Sequence, residues 1–292
     1  MATRSRDALA ASSLGSRLLG LAQACHPFPL AVVVALTALL GFVSADGGPD
    51  GSRLGLAVLA MFCSQLAIGW LNDYRDRDTD REFQPWKPVP SGLVPAEWLP
   101  WSSLAALAVS FLAGIALGPA PLALLAVGTA AGLTYDLGLK DTRLSPLPFL
   151  LAFGVLPPFV WTALDAFRDD FLWLYAVASP LALAGHIANV LPDLDADTAA
   201  GRRSIAVVLG RSRSLWLLAA SLAAPPALVA ATSLFAGYDA VWLGATLLVY
   251  AALIAGAAAG YGRIAGRGGD VFAFRCVVVA AVLFAVGWLA AA

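Results

Sequence analysis

Nine stretches of nearly uniform apolarity divide this 292-residue chain, over about 28–44, 54–73, 96–117, 119–136, 146–164, 171–192, 213–236, 240–260 and 271–291. Each is close to the roughly 20 residues with which an α-helix crosses the hydrocarbon of a bilayer. A backbone in lipid must satisfy its own hydrogen bonds, so such segments are driven to be helices. The expected fold class is an all-α membrane protein with nine transmembrane helices. Only 13% of the residues are charged and 60% are hydrophobic, against about 25% charged in a soluble domain. The segment from Leu14 to Ala24 reads as an interfacial helix leading into the first span. Residues 1–13 read as a disordered cytoplasmic tail, because they lack the apolar run of a signal peptide. No soluble domain fits in the gaps, so 14–292 is expected to be one domain, with cap segments at about 74–95 and 193–212.

Several function classes drop out early. A net charge of −1 argues against nucleic acid, whose phosphates demand a basic surface. Cys25, Cys63 and Cys276 stand at no metal or redox spacing. His26 and His186 are too few and too far apart for a zinc motif. Orientation follows from the basic residues. Fifteen of the 18 Lys and Arg fall on one side, counting Arg213 at the edge of its span. Arg53 and Arg168 fall on the other, and Arg275 lies within the last span. That bias predicts an N-terminus in the cytoplasm.

The chemistry is concentrated at Asn72-Asp73-Tyr74-Arg75-Asp76-Arg77-Asp78-Thr79-Asp80, where the second span ends. Asn72, Asp76 and Asp80 are four residues apart and share one face of a helix. Like charges at that spacing repel, and a divalent cation would relieve the repulsion. Carboxylates are hard oxygen ligands of the kind Mg²⁺ takes, and Mg²⁺ in turn bridges phosphates. A second cluster closes the sixth span, with Asp193, Asp197 and Gly201 again at four-residue steps. Either cluster alone could be a solvated helix end. Two clusters with one spacing on one predicted face point instead to a diphosphate substrate at the cytoplasmic membrane surface.

These residues resemble the UbiA superfamily of intramembrane prenyltransferases. Asn72, Asp73, Asp76 and Asp80 match its N-D-x-x-D-x-x-x-D motif, and Asp193, Asp197 and Gly201 match D-x-x-x-D-x-x-x-G. Lys87 to Gly92 (KPVPSG) is similar to the family's R/K-P-L-P-S-G segment. Tyr135 to Lys140 resembles its Tyr…Lys motif, and Arg202 to Gly210 the end of its second cap. The resemblance implies nine helices in a ring around a central cavity that opens to the cytoplasm and laterally to lipid. It implies two Mg²⁺ ions, one held by Asn72, Asp76 and Asp80 and the other by Asp193 and Asp197, with Asp73 a ligand or a close neighbour. Asp76, Asp193, Lys140 and Tyr135 would carry catalysis. Lys140, Arg77 and Lys87 would clamp the diphosphate, Tyr135 would bond it or face the allylic cation, and Asn189 would orient Asp193. Trp70, Phe153, Phe159 and Trp161 could offer π faces to a carbocation.

Departures from the family pattern bear on the acceptor. Relatives place an Arg before the first span, where this chain has Gln23 and His26, and Trp86 stands where relatives often have Asn. The leading expectation is Mg²⁺-dependent transfer of a polyprenyl group from its diphosphate to a small acceptor, aromatic or another lipid precursor. A terpene cyclase on the same scaffold is the alternative. A transporter is remote, because the acidic groups cluster at one membrane face rather than at the midplane.

Overall fold

The computed structural model describes residues 13–45, 47–167, 172–233 and 235–292, and every regular element in them is helical. The expected tail over 1–13 lies outside the described residues except for Ser13, whose Oγ caps the first helix by accepting from Ser16 N. The helices are α1 (Leu14–Gln23), α2 (Pro27–Ser44), α3 (Gly51–Phe83), α4 (Trp98–Leu117), α5 (Pro119–Asp136) and α6 (Pro146–Ala163). They continue as α7 (Leu174–Val190), the short α8 (Leu194–Ala199), α9 (Ile205–Thr232), α10 (Ala240–Arg263) and α11 (Arg267–Ala291). Proline opens α2, α5 and α6, at positions where its missing N–H leaves no bond unmade.

Among the described residues nine helices are thus long, as the apolar stretches predicted. Eight segments are long and apolar enough to cross a membrane, one of them α7 with its continuation through α8. The helix outside that set is α5, diluted by Gly, Thr and its terminal Tyr135-Asp136. It packs on α3, α4 and α6.

Two helices run well past their apolar stretches. Helix α3 continues ten residues beyond 73 and carries the whole first acidic motif. Its 33 residues span about 50 Å. The residues past 73 are helix-compatible, and their polar face finds cations across the cavity. Helix α9 begins at Ile205 rather than 213, with Ser204 Oγ accepting from Val207 N at 3.4 Å. Gly210, at φ 73 and ψ 165, breaks its path, so the cap and the span that follows point in different directions.

Six helices close a ring: α2 packs on α3, α3 on α5, α5 on α6, α6 on α7, α7 on α11, and α11 on α2. The other three stand outside, α4 against α3 and α5, α9 against α7, and α10 against α11. The two larger of four apolar clusters among the described residues lie among α2–α6 around Leu40, Leu156 and Phe159, and among α6, α7 and α9–α11 around Trp161, Val229 and Phe284. Buried hydroxyls stitch neighbours together. Ser64 meets Thr129 at 2.8 Å, and Ser103 and Ser110 donate to the carbonyls of Ala67 and Ala60. Such bonds, with small residues, take the place of a hydrophobic driving force in lipid.

Helix α1 is pinned to α3. Trp70 Nε1 donates to Leu21 O at 2.8 Å, and a Cβ at Gly69 would lie 2.5 Å from Cys25 O. That carbonyl is backbone and cannot swing aside. Gly69→Ala is expected to destabilise the protein by about 1–3 kcal/mol, read as a lowered melting temperature in detergent. An unchanged melting temperature would mean that α1 is only loosely docked.

Candidate active site

A cavity of about 800 Å³ fills the centre of the ring. Its walls come from all six ring helices and from both caps, while α4, α9 and α10 contribute nothing to it. Toward the predicted cytoplasmic end it is charged. Deeper in, it is apolar and aromatic, with Phe149, Phe153 and Phe159 among its lining.

Local structure explains the charged end. Asn72, Asp73, Asp76 and Asp80 ride the inner face of α3 and all line the cavity. Lys87 is delivered by a tight turn in which Ser91 N donates to Lys87 O and Leu93 N to Pro88 O. Pro88 and Pro90 preset the backbone there, and Gly92 closes the turn at φ 79. Lys140 sits on a 3-10 turn, Leu139–Asp141, immediately after α5. On the other side, α7 ends in the 3-10 turn Leu191–Asp193 at Pro192, and α8 follows with Asp197.

The carboxylates are matched by cations. Lys140 Nζ lies 2.6 Å from Asp76 Oδ2 and 3.8 Å from Asp136 Oδ1. Lys87 Nζ lies 2.9 Å from Asp80 Oδ2 and 3.4 Å from Asp73 Oδ1. Arg202 reaches Asp76, Asp141 and Asp197 at 3.2, 3.3 and 3.3 Å, so one guanidinium joins both acidic motifs. Arg267 bonds Asp193 Oδ1 at 3.0 Å and Gln84 Oε1 at 2.9 Å, and its charge lies over the Trp86 ring. Burial pulls the Lys87 ammonium down, but Asp73 and Asp80 outweigh it, so its pKa is raised. The Arg202 guanidinium moves upward in the same way, Asp76 leading the carboxylates that overcome its burial. Both are permanent positive charges.

The structure sorts the residues singled out in the sequence. Asn72, Asp73, Asp76, Asp80, Lys87, Tyr135, Lys140, Asn189, Asp193 and Asp197 share this one cavity. Arg77 does not belong with them. It donates to Tyr74 O at 2.6 Å, pairs with Asp78 and lies over the Tyr74 ring. Its side chain folds back on its own helix and does not line the cavity. Trp70 is committed to Leu21, and Trp161 is fully buried with its Nε1 on Ser44 Oγ. Neither lines the cavity, whereas Phe153 and Phe159 do.

Other residues join the site without having been assigned a role. Arg202 is central to it, and its only sequence signal was its place just after the second motif. Asp136 accepts from Asn72 Nδ2 at 2.6 Å, and its buried Oδ2 has no partner. His26, where relatives carry Arg, turns its Nε2 to Asp73 Oδ1 at 3.0 Å from a left-handed backbone (φ 55). That conformation is unfavourable for a non-glycine residue, and the side-chain bond helps to hold it.

Among the described residues no three His, Cys, Asp or Glu side chains converge on a common point as a metal cluster; the lysines and arginines are the counter-charges. The donor set still fits a hard divalent cation. It is made of carboxylate and amide oxygens on two facing motifs, with the buried, unpartnered Asp136 Oδ2 beside them.

A helical membrane protein whose single charged chamber opens into an aromatic and apolar interior can hold a molecule with a polyanionic head and a greasy tail. Residues 31–278 match the UbiA prenyltransferase family, and the chain belongs to it. The digeranylgeranylglyceryl phosphate synthase of Natronomonas pharaonis is 28% identical over 206 residues, 70% of this chain and 73% of that protein. The 4-hydroxybenzoate octaprenyltransferase of Vibrio atlanticus is 28% identical over 191 residues, 64% and 67% of the two chains. A UbiA homolog from Archaeoglobus fulgidus bound to GPP and Mg²⁺ has the same fold. Its TM-score is 0.71 at 17% identity, over 94% of this chain and all of that one. The chain is therefore an integral membrane protein of the prenyltransferase class.

Proposed function

We propose that this protein moves a polyprenyl group from its diphosphate to a small, lipid-precursor acceptor, with a divalent cation, Mg²⁺ by donor chemistry, as cofactor. The observation that carries this reading is the single cavity in which two acidic motifs, four paired cations and an aromatic wall meet. Asn72, Asp76 and Asp80 on α3, with Asp193 and Asp197 across the cavity, would hold the metal, and Asp73 and Asp136 adjoin them. When bound, Mg²⁺ supplies positive charge that offsets the carboxylates and the departing diphosphate. Two ions match the two motifs.

The chain's own groups account for the rest. Lys87, Lys140 and Arg202, now engaged by carboxylates, become free to turn to diphosphate oxygens once those carboxylates take other partners. Tyr135 lines the same space, and its hydroxyl has no protein partner among the described residues, so it can donate to the diphosphate. Pre-placed donors of this kind stabilise charge as it develops on the leaving group. The allylic C–O bond breaks, its electron pair leaves with the diphosphate, and the acceptor forms the new bond and loses a proton. Phe149, Phe153 and Phe159 enclose the cationic carbon and exclude water. The positive-inside bias supports a cytoplasmic mouth, where soluble diphosphates are made.

The test is diphosphate release by the purified full chain, with C10 to C20 and longer prenyl diphosphates, with and without an acceptor panel. Chelation with EDTA is expected to abolish release and added Mg²⁺ to restore it. Release that requires an acceptor supports the transferase. Release without one, with a cyclic hydrocarbon or alcohol as product, would replace it with a cyclase. Release indifferent to EDTA would remove the metal from the reading.

A further inference from the structure

Five lysine and arginine side chains line the cavity, and four of them are matched by carboxylates: Lys87, Lys140, Arg202 and Arg267. The fifth, Arg275, has no carboxylate partner among the described residues. It stands eight residues into α11, about 12 Å along the helix axis. Its charge rests over the Phe28 ring, 5.7 Å from the centroid, and that ring packs edge-on against Phe274 at 5.8 Å. Gln23 and His26, a few residues before Phe28 in the chain, also line the cavity. An arginine inside a hydrophobic helix without a counter-charge is expensive, and such residues mark ligand paths. A guanidinium presents a fork that suits carboxylate or phosphate oxygens.

We infer that Arg275 seats the anionic group of the second substrate, so that the acceptor is an amphiphilic carboxylate or phosphate. This rests on the transfer reaction proposed above. The donor's diphosphate already has Lys87, Lys140 and Arg202 paired with the acidic motifs, whereas Arg275 pairs with no carboxylate of either motif among the described residues and lies over Phe28 of α2. Phe28 and Phe274 supply an apolar face for the body of the same molecule, and the Gln23 amide a neutral hydrogen-bonding group. The one other source of the same chemistry is the phosphate of a membrane lipid lying against this wall.

Binding can be measured without turnover. The full chain and its Arg275→Gln and Arg275→Lys variants are titrated with 4-hydroxybenzoate and with geranylgeranylglyceryl phosphate. Each is compared with its neutral counterpart, 4-hydroxybenzamide or geranylgeranylglycerol. Co-purified phosphatidylglycerol is quantified by mass spectrometry, and melting temperature checks the fold. Arg275→Gln is expected to weaken an anionic probe roughly 10- to 100-fold, Arg275→Lys to restore part of the loss, and the neutral counterpart to be unaffected. Unchanged probe binding with phosphatidylglycerol lost from Arg275→Gln would assign the site to a lipid headgroup and overturn the acceptor assignment. No change in either readout, or equal effects on charged and neutral probes, would overturn the inference outright. Failure of the proposed reaction would show separately, as donor diphosphate release that does not depend on Asp76.

Discussion

Asp76→Asn is expected to lower the rate of diphosphate release by roughly 10²–10³-fold, the usual effect of removing one group that stabilises developing charge. Asp76 is the hub of the charged chamber. It accepts from Lys140 at 2.6 Å and from Arg202 at 3.2 Å, and it is mostly buried. The substitution keeps shape and removes charge, so a metal-bridged diphosphate loses one anchor. It also leaves Lys140, which is 9% exposed, with Asp136 at 3.8 Å as its remaining counter-charge. Stripping one partner from a buried pair costs up to about 3–5 kcal/mol, and a fall in activity could then reflect a loosened fold. The melting temperature of Asp76→Asn separates the two effects. Lost activity at an unchanged melting temperature places Asp76 in the chemistry. A lowered melting temperature, with activity regained when the fold is stabilised by cooling, would place Asp76 in the scaffold and take it out of the chemistry.

Arg202→Ala is expected to lower kcat/KM for the prenyl diphosphate by roughly 10²-fold, about what one or two charge-assisted hydrogen bonds supply. Arg202→Lys keeps the charge without the planar fork and should recover only part of that. Arg202 ties Asp76 on α3, Asp197 on α8 and Asp141 on the turn after α5. The adjoining backbone follows, with Arg203 N donating to Asp141 O at 2.9 Å. Without the guanidinium, Asp76 and Asp197 lose their shared counter-charge. Added Mg²⁺ should therefore raise the melting temperature of Arg202→Ala more than that of the unsubstituted protein. An equal rise in both would mean that Arg202 and the metal do not compete for the same carboxylates, and that the clamp lies elsewhere.

The long-period information was legible in the chain itself. Helix number, membrane class and the two acidic motifs follow from apolar run length and from four-residue spacing, which are local properties of a helix. The same geometry could not have disqualified Arg77, which stands four residues after Asp73 and so shares its face; only its contacts with Tyr74 and Asp78 do so. The apolar stretch and the helix end at different places for a physical reason. Hydropathy marks where the hydrocarbon stops, at about 73, whereas the helix on whose face Asn72, Asp76 and Asp80 were expected runs on to Phe83, its polar face neutralised from across the cavity.

What only the tertiary structure decided is which charges meet. Arg202 and Asp76 are 126 residues apart, and Arg267 and Gln84 are 183 apart. No sequence spacing relates them, and positive-inside anchoring accounts equally well for every one of these cations. Packing alone separates Trp161, buried away from the cavity, from Phe153 on the cavity wall, since both are apolar in sequence. The sequence by itself determined a membrane-embedded helical chain bearing two acidic motifs at one face, because hydrogen-bond satisfaction in lipid and helical periodicity act over short distances. Which six helices surround the cavity, which cations guard it and which arginine on its wall has no carboxylate partner among the described residues depend on ring closure, which fixes distances between residues far apart in the chain.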